Sequence, residues 1–309
     1  MASFGERLTR AVADRSSQLV LGLDPDPARL WPRALELAGG AGDPPAPPAQ
    51  RAALAMAIHC TLAIEAAGEH CVAVKPQVAC FERLGAAGWA ALAEVAQRAR
   101  EHGLLVIADA KRGDIDVSAA AYAQAFFGEQ ATPYGPVRSL GADALTVNPL
   151  LGADSLAPIL SRAREVGGGL FVLVRTSNPG AADVQELRLA AGHTVSERLA
   201  ELVDRLGATP GSGPGLSDVG AVVGATAPEW IARLRALMPT AVFLLPGVGA
   251  QGGRVKELAP AFTPGPAGGL VSASRAIVRA HEQHGGDPAL AARREAARLR
   301  EQAWELASG

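Results

Sequence analysis

Eight short aliphatic runs, each followed by a longer segment of helical composition, constrain this chain more than any single motif. The runs are QLVLGLD (18–24), CVAVKP (71–76), LLVIADA (104–110), DALTVNP (143–149), GLFVLVRTS (169–177), VGAVVGAT (219–226), AVFLLPG (241–247) and GLVSASR (269–275). Most are apolar throughout rather than alternating, the pattern of parallel strands covered on both faces. The segments 50–67, 86–102, 154–166, 193–206 and 227–237 read as the intervening amphipathic helices. Thr226 is a candidate N-cap ahead of Pro228, and GADSL (152–156) opens another helix. This alternation predicts an α/β fold: a (β/α)8 TIM barrel in a single domain over 1–309, with an open doubly wound sheet as the alternative.

Three segments interrupt the alternation. GGAGDPPAPPAQ (39–50) and GATPGSGPGLSD (207–218) read as irregular insertions, and AFTPGPAGG (261–269) as a third. None is long enough to link independent domains. Residues 287–307 read as a C-terminal helix.

Composition narrows the class of partner. The net charge is −2 with no block of like charge, which argues against nucleic acid or an acidic membrane surface and leaves small molecules. No apolar run approaches the ~20 residues of a membrane span, and the N-terminus lacks a signal-type apolar core. Cys60, Cys71 and Cys80 lie in or beside apolar segments without C-x-x-C spacing, as reduced core cysteines of a cytoplasmic protein do. The six histidines are scattered, with no H-x-x-x-H pattern, so no metal site is expected.

In a parallel barrel the functional groups stand at the C-terminal ends of the strands. The first run ends in Asp24, the second in Lys75 and Gln77, the third in Asp109 and Lys111, and the fourth in Asn148. The fifth ends in Arg175, Thr176 and Ser177, the eighth in Ser272, Ser274 and Arg275. Two lysines and two aspartates thus converge on one mouth, with Asp109 and Lys111 on one face of their strand. A purely structural ion-pair network is the bland reading. Four alternating charges at adjacent strand ends are costly to bury for that purpose alone. PGVGAQGG (246–253) and the Arg275 of SASRAI (272–277) form a phosphate-binding candidate from the last two loops. In RTSNPGA (175–181), Ser177 either bonds a polar ligand edge or caps an Asn-Pro-Gly turn.

Taken together, these residues resemble the orotidine 5′-monophosphate decarboxylase family. Its D-x-K-x-x-D pattern is met by Asp109, Lys111 and Asp114, and its second-strand lysine by Lys75 in VAVKPQ. Asp24 in LGLDPD, Ser118, Ser177, Gln251 in the seventh-strand lid loop and Arg275 match its further positions in order, over about residues 18 to 280. TVNP, RTSNPG and SRAI resemble the longer bacterial branch. Ser118 stands where threonine is common, and Asp116 matches no family position and reads as solvated or as an N-cap.

The resemblance implies decarboxylation of orotidine 5′-phosphate to UMP, the last step of UMP synthesis, with no cofactor. It implies Lys111 as cation and proton donor at C6, with Asp109, Lys75 and Asp114 fixing the charge order. Asp24 and Lys75 would contact the ribose, Ser177 would link the base to the lid, and Gln251 and Arg275 would hold the phosphate. It also implies a homodimer in which Asp114 and Ser118 complete the partner's site. The nearest rival is a Mg²⁺-dependent sugar-phosphate enzyme of the same superfamily, which places a carboxylate where this chain has Lys75. A non-catalytic phosphate-binding barrel and the phosphate barrels of tryptophan or histidine synthesis are further alternatives.

Overall fold

The computed structural model describes residues 1–39, 46–208 and 215–309. All eight expected runs form strands: β1 Leu19–Leu23, β2 Ala73–Pro76, β3 Leu105–Arg112, β4 Ala144–Val147, β5 Gly169–Arg175, β6 Val219–Val223, β7 Phe243–Pro246 and β8 Gly269–Ala273. They pair in parallel in the order β1-β8-β7-β6-β5-β4-β3-β2, and β1 pairs with both β8 and β2. That closure excludes the open sheet. β-Branched and aliphatic residues suit such strands because both faces are packed, the outer against helices and the inner against one another.

The helices follow from local sequence. The main ones are α1 Phe4–Arg15, α2 Pro48–Ala67, α3 Ala86–Glu101, α4 Asp116–Phe126, α5 Ala153–Glu165, α6 Val195–Gly207, α7 Pro228–Leu237, α8 Arg275–Val278 and α9 Pro288–Ser308. Ser3 with Glu6 and Thr194 with Glu197 form reciprocal capping boxes at α1 and α6, and Asp287 caps α9. Thr226 does not cap α7. Its hydroxyl donates instead to the carbonyl of Ser177 at 3.1 Å, and Ala227 stands at the cap without a side-chain bond. The expected insertion 39–50 already contains the start of α2, because Pro48 is pre-organised for the first helical turn. Residues 40–45 and 209–214 of the two expected insertions lie outside the described residues. The segment 261–269 is folded into short 3₁₀ turns at Ala259–Phe262 and Pro266–Gly268.

Two apolar layers result. The outer one lies between strands and helices. The inner one fills the barrel with Val20, Ala73, Ile107, Ala144, Phe171 and Leu270, and α1 presses Phe4, Leu8 and Val12 into the same cluster. Phe4 meets Phe171 edge-to-face at 5.8 Å. The barrel is therefore stoppered at the N-terminal end of its strands.

The sequence reading that no apolar run is long enough for a membrane span does not hold. The stretch Pro48–His70 is long and apolar enough, by length and composition, to cross a bilayer. It packs instead against α3 and α9, with Met56, Cys60 and Ile64 fully buried. Its apolarity is that of a core helix.

Two polar groups tie the scaffold. Arg235 is buried and makes no ion pair among the described residues. Its guanidinium donates to the carbonyls of Met238, Ala241, Ala261 and Gly268 at 2.6–2.9 Å and lies 3.8 Å from the centre of the Phe243 ring. Burial pushes its pKa down to about 10. His59 accepts the Trp31 backbone N–H at Nδ1 at 3.1 Å. Burial first, then Arg279 and His281, push its pKa down to about 4.

Replacing Arg235 by Met strands four carbonyls and should cost about 3 kcal/mol or more in urea denaturation; an unchanged midpoint would refute the clamp. His59 is neutral in the fold, while the unfolded chain takes up a proton below its ordinary 6.5. Stability should therefore be complete above that pH and be lost progressively down to about 4. His59→Gln, which keeps an acceptor but cannot titrate, should flatten the urea midpoint across that window; an equal slope in both proteins would discount the histidine.

Candidate active site

Barrel closure carries the ends of all eight strands to one rim, and a cavity of about 370 Å³ opens there. Asp24, Lys75, Asp109, Lys111, Ser177, Gln251 and Arg275 all line it. Asp114 and Ser118 do not line the cavity of their own chain. Asp114 accepts the N–H of Ile115 at 2.8 Å, and Ser118 is exposed on the first turn of α4.

The carboxylate of Asp109 is the centre of the arrangement. It is 6% exposed, and Lys75 is 7% exposed. Lys75 Nζ donates to Oδ2 at 2.5 Å and Lys111 Nζ to Oδ1 at 2.5 Å. Gln77 Nε2 donates to Oδ2 at 3.3 Å, and Thr146 Oγ1 to Oδ1 at 3.0 Å. Burial alone would raise the pKa of Asp109, but the two ammonium groups outweigh it and hold the carboxyl well below the usual range. Burial also works against the ammonium of Lys75, yet Asp109 and then Asp24 hold its pKa above the ordinary value. Both groups are thus charged across the neutral range.

The cavity carries three cations, Lys75, Lys111 and Arg275, against two carboxylates, a balance that suits an anionic ligand. Arg275 is exposed and makes no ion pair or side-chain hydrogen bond among the described residues. The helix it opens, α8, is a single turn, so the guanidinium rather than a helix dipole is the source of positive charge. Facing it, the loop after β7 is folded on itself: Gly253 N–H donates to the Gly247 carbonyl at 3.1 Å and Gly249 N–H to the Gly253 carbonyl at 2.9 Å. Gly247, Gly249 and Gly252 have φ of 102°, 75° and 92°, which residues with a Cβ rarely adopt.

Other expectations shift in detail. Ser177 lines the cavity rather than capping a turn; Asn178 precedes the Pro179–Asp183 turn and forms no side-chain cap. Arg175 turns away from the mouth, donating to Glu186 at 2.7 Å. Asn148 accepts the Leu150 N–H and does not line the cavity; on that strand Thr146 faces it, a residue that sequence reasoning missed. A lone hydroxyl within the aliphatic DALTV run was the available signal. Asp116 is exposed and stands inside the first turn of α4, so the solvated reading holds.

Among the described residues there is no cluster of three His, Cys, Asp or Glu side chains that could hold an ion. A larger groove of about 650 Å³ lies behind the β7 loop against α9, but none of the residues converging on Asp109 lines it.

Similarity to known proteins agrees with this geometry. The model of the orotidine 5′-phosphate decarboxylase / HUMPS family matches residues 17–293. An orotidine 5′-phosphate decarboxylase of Deinococcus radiodurans is 42% identical over 282 residues, 89% of each chain. One from Rhodopirellula baltica is 40% identical over 283 residues, covering 92% of this chain and 90% of its own. Among solved structures, the Leishmania donovani OMP decarboxylase superposes with a TM-score of 0.75 at 33% identity, over 99% of this chain and all of that one. By the family match, the relatives and the barrel itself, this chain belongs to the orotidine 5′-phosphate decarboxylase / HUMPS family.

Proposed function

We propose that the protein decarboxylates orotidine 5′-phosphate to uridine 5′-phosphate and CO₂, the last step of UMP synthesis. The observation that carries this reading is the Asp109 carboxylate held between two lysines, with the exposed guanidinium of Arg275 elsewhere in the same cavity. The bond from C6 to the carboxylate breaks, and its electron pair stays on C6 in an orbital the ring cannot readily delocalise. Lys111 stabilises that charge and then gives a proton from Nζ to C6; solvent returns the proton to the amine. Fixed charges of this kind stabilise a transition state without reorganising during reaction, so no cofactor is called for. Asp109 lies near the departing carboxylate, with Lys75 fixing its position.

Away from the reacting carbon, Asp24 and Lys75 take ribose hydroxyls, Ser177 the base, and Gln251 and Arg275 the phosphate. Binding of that remote dianion supplies energy for loop closure and orientation.

We further propose a homodimer in which Asp114 and Ser118 serve the partner's site. Two things support it: neither residue lines its own cavity, and the apolar Ile115 and Val117 beside them in the chain are exposed, as residues that pack on a second copy are. A cytoplasmic location fits the three free cysteines. The Mg²⁺-dependent alternative is disfavoured because Lys75 occupies the ligand position and its ammonium sits on the oxygen a metal would need.

Lys111→Ala should lower turnover by roughly a thousandfold or more in a folded protein, read by the absorbance change of orotidine 5′-phosphate; near-normal turnover would end the assignment. Wild-type activity should survive EDTA, and its loss would favour the metal-dependent rival. Arg275→Ala should raise KM about tenfold or more with a smaller effect on kcat at saturation, and an unaltered KM would remove Arg275 from the phosphate site. Mixing refolded Lys111→Ala and Asp114→Ala chains should restore about a quarter of wild-type activity, because half of the dimers are hybrids with one intact site. Failure of this complementation, with both variants folded, would argue against a shared site.

A further inference from the structure

Ala108 pairs with Leu145 and Arg112 with Val147, so three residues of β3, Asp109, Ala110 and Lys111, face the single residue Thr146 of β4. The bulge takes Lys111 out of the regular ladder. Its φ is 50°, a left-handed conformation that a residue with a long side chain holds only when its surroundings enforce it. The Lys111 N–H, left without a ladder carbonyl, donates to Thr146 Oγ1 at 2.9 Å. Because that oxygen is accepting, its own proton is free to point elsewhere, and Asp109 Oδ1 receives it at 3.0 Å. The same Oδ1 accepts the Lys111 ammonium at 2.5 Å. A closed ring results, running from the Lys111 backbone through the Thr146 hydroxyl and the Asp109 carboxylate back to the Lys111 side chain. Thr146 is 1% exposed, so no solvent competes for its hydroxyl.

We propose that Thr146 is a positioning residue, whose hydroxyl locks the left-handed backbone of Lys111 and the carboxylate of Asp109 into one register and so aims the Lys111 ammonium. This rests on the decarboxylase reading. The hydroxyl does two things at once that no aliphatic side chain can do. It accepts from an otherwise stranded amide and donates to a carboxylate. Valine has nearly the same shape and fills the barrel equally, but it supplies neither bond, so Lys111 would be free to relax out of the left-handed region. A displacement of about an ångström at such a group costs up to about a hundredfold in rate.

Thr146→Val and Thr146→Ser should be compared with the wild type for kcat, for KM towards orotidine 5′-phosphate, and for hydrogen exchange at the Lys111 amide. Thr146→Val should lose about tenfold to a hundredfold in kcat, with KM within about twofold because phosphate binding is remote. Thr146→Ser should keep most of the rate. The Lys111 amide should exchange slowly in the wild type and Thr146→Ser and much faster in Thr146→Val. Wild-type kcat in Thr146→Val, a serine variant as impaired as the valine, or a KM that rises in step with the fall in kcat would each overturn the proposal. If Thr146→Val does not fold, the serine variant decides: a rate near wild type supports the hydroxyl, and a large loss refutes it. A wild type that releases no CO₂ would end the decarboxylase reading, while the exchange data would still judge the lock.

Discussion

A buried carboxylate has to be satisfied on every side, and in this protein that requirement organises the barrel mouth. Asp109 receives two ammonium groups, an amide and a hydroxyl, drawn from β2, from the segment just after it, from β3 itself and from β4. Removing a charge from water is expensive, and the expense is offset only where partners converge with good geometry. Barrel closure supplies that convergence, because β3 lies between β2 and β4 in the sheet. The same closure puts Lys75 and Lys111 on opposite oxygens of one carboxylate rather than beside each other. Like charges are thereby kept close without being left uncompensated, which is the condition for a site that must receive an anion and hold it against a second anionic group.

The two ends of the barrel are built for different tasks. At the base, α1 and the inner apolar layer pack Phe4 against Phe171, and Arg235 ties carbonyls from three segments into one knot. At the rim, the chain tolerates Gly247, Gly249 and Gly252 at positive φ, a bulge at Lys111 and an Arg275 that makes no ion pair among the described residues. None of these rim features stabilises the fold in an obvious way, and each carries a group or a freedom that the proposed chemistry needs. Residues of the base are therefore expected to affect folding, and residues of the rim turnover.

The strands were legible because parallel strands buried on both faces leave continuous aliphatic runs, and the helices because Ala, Leu and charged residues recur with helical spacing. The charged site residues were legible for the opposite reason: Asp109 and Lys111 interrupt an apolar run at its end. Thr146 was not, since a threonine is at home in any strand and only the bulge opposite reveals its hydroxyl as a partner. Thr226 looked like a cap because it precedes Pro228, but the nearby carbonyl of Ser177, brought close by the fold, took its proton. Asn148 and Arg175 were misjudged because reading stops at a strand's last residue, whereas the side chain that faces inward depends on where the strand leaves the barrel. Asp114 and Ser118 came only through family resemblance, because neither ends an apolar run and neither lines the cavity of its own chain.

The stopper at the base of the barrel has a consequence for traffic. With Phe4, Leu8 and Val12 filling that end, the cavity is closed at its floor and opens at the rim. Whatever enters at the rim must leave there, so in the proposed reaction a departing gas and a nucleotide share the exit. If the glycine-rich loop closes over the ligand as proposed, its opening meters arrival and departure together, and no arrangement of the floor can relieve it of either duty.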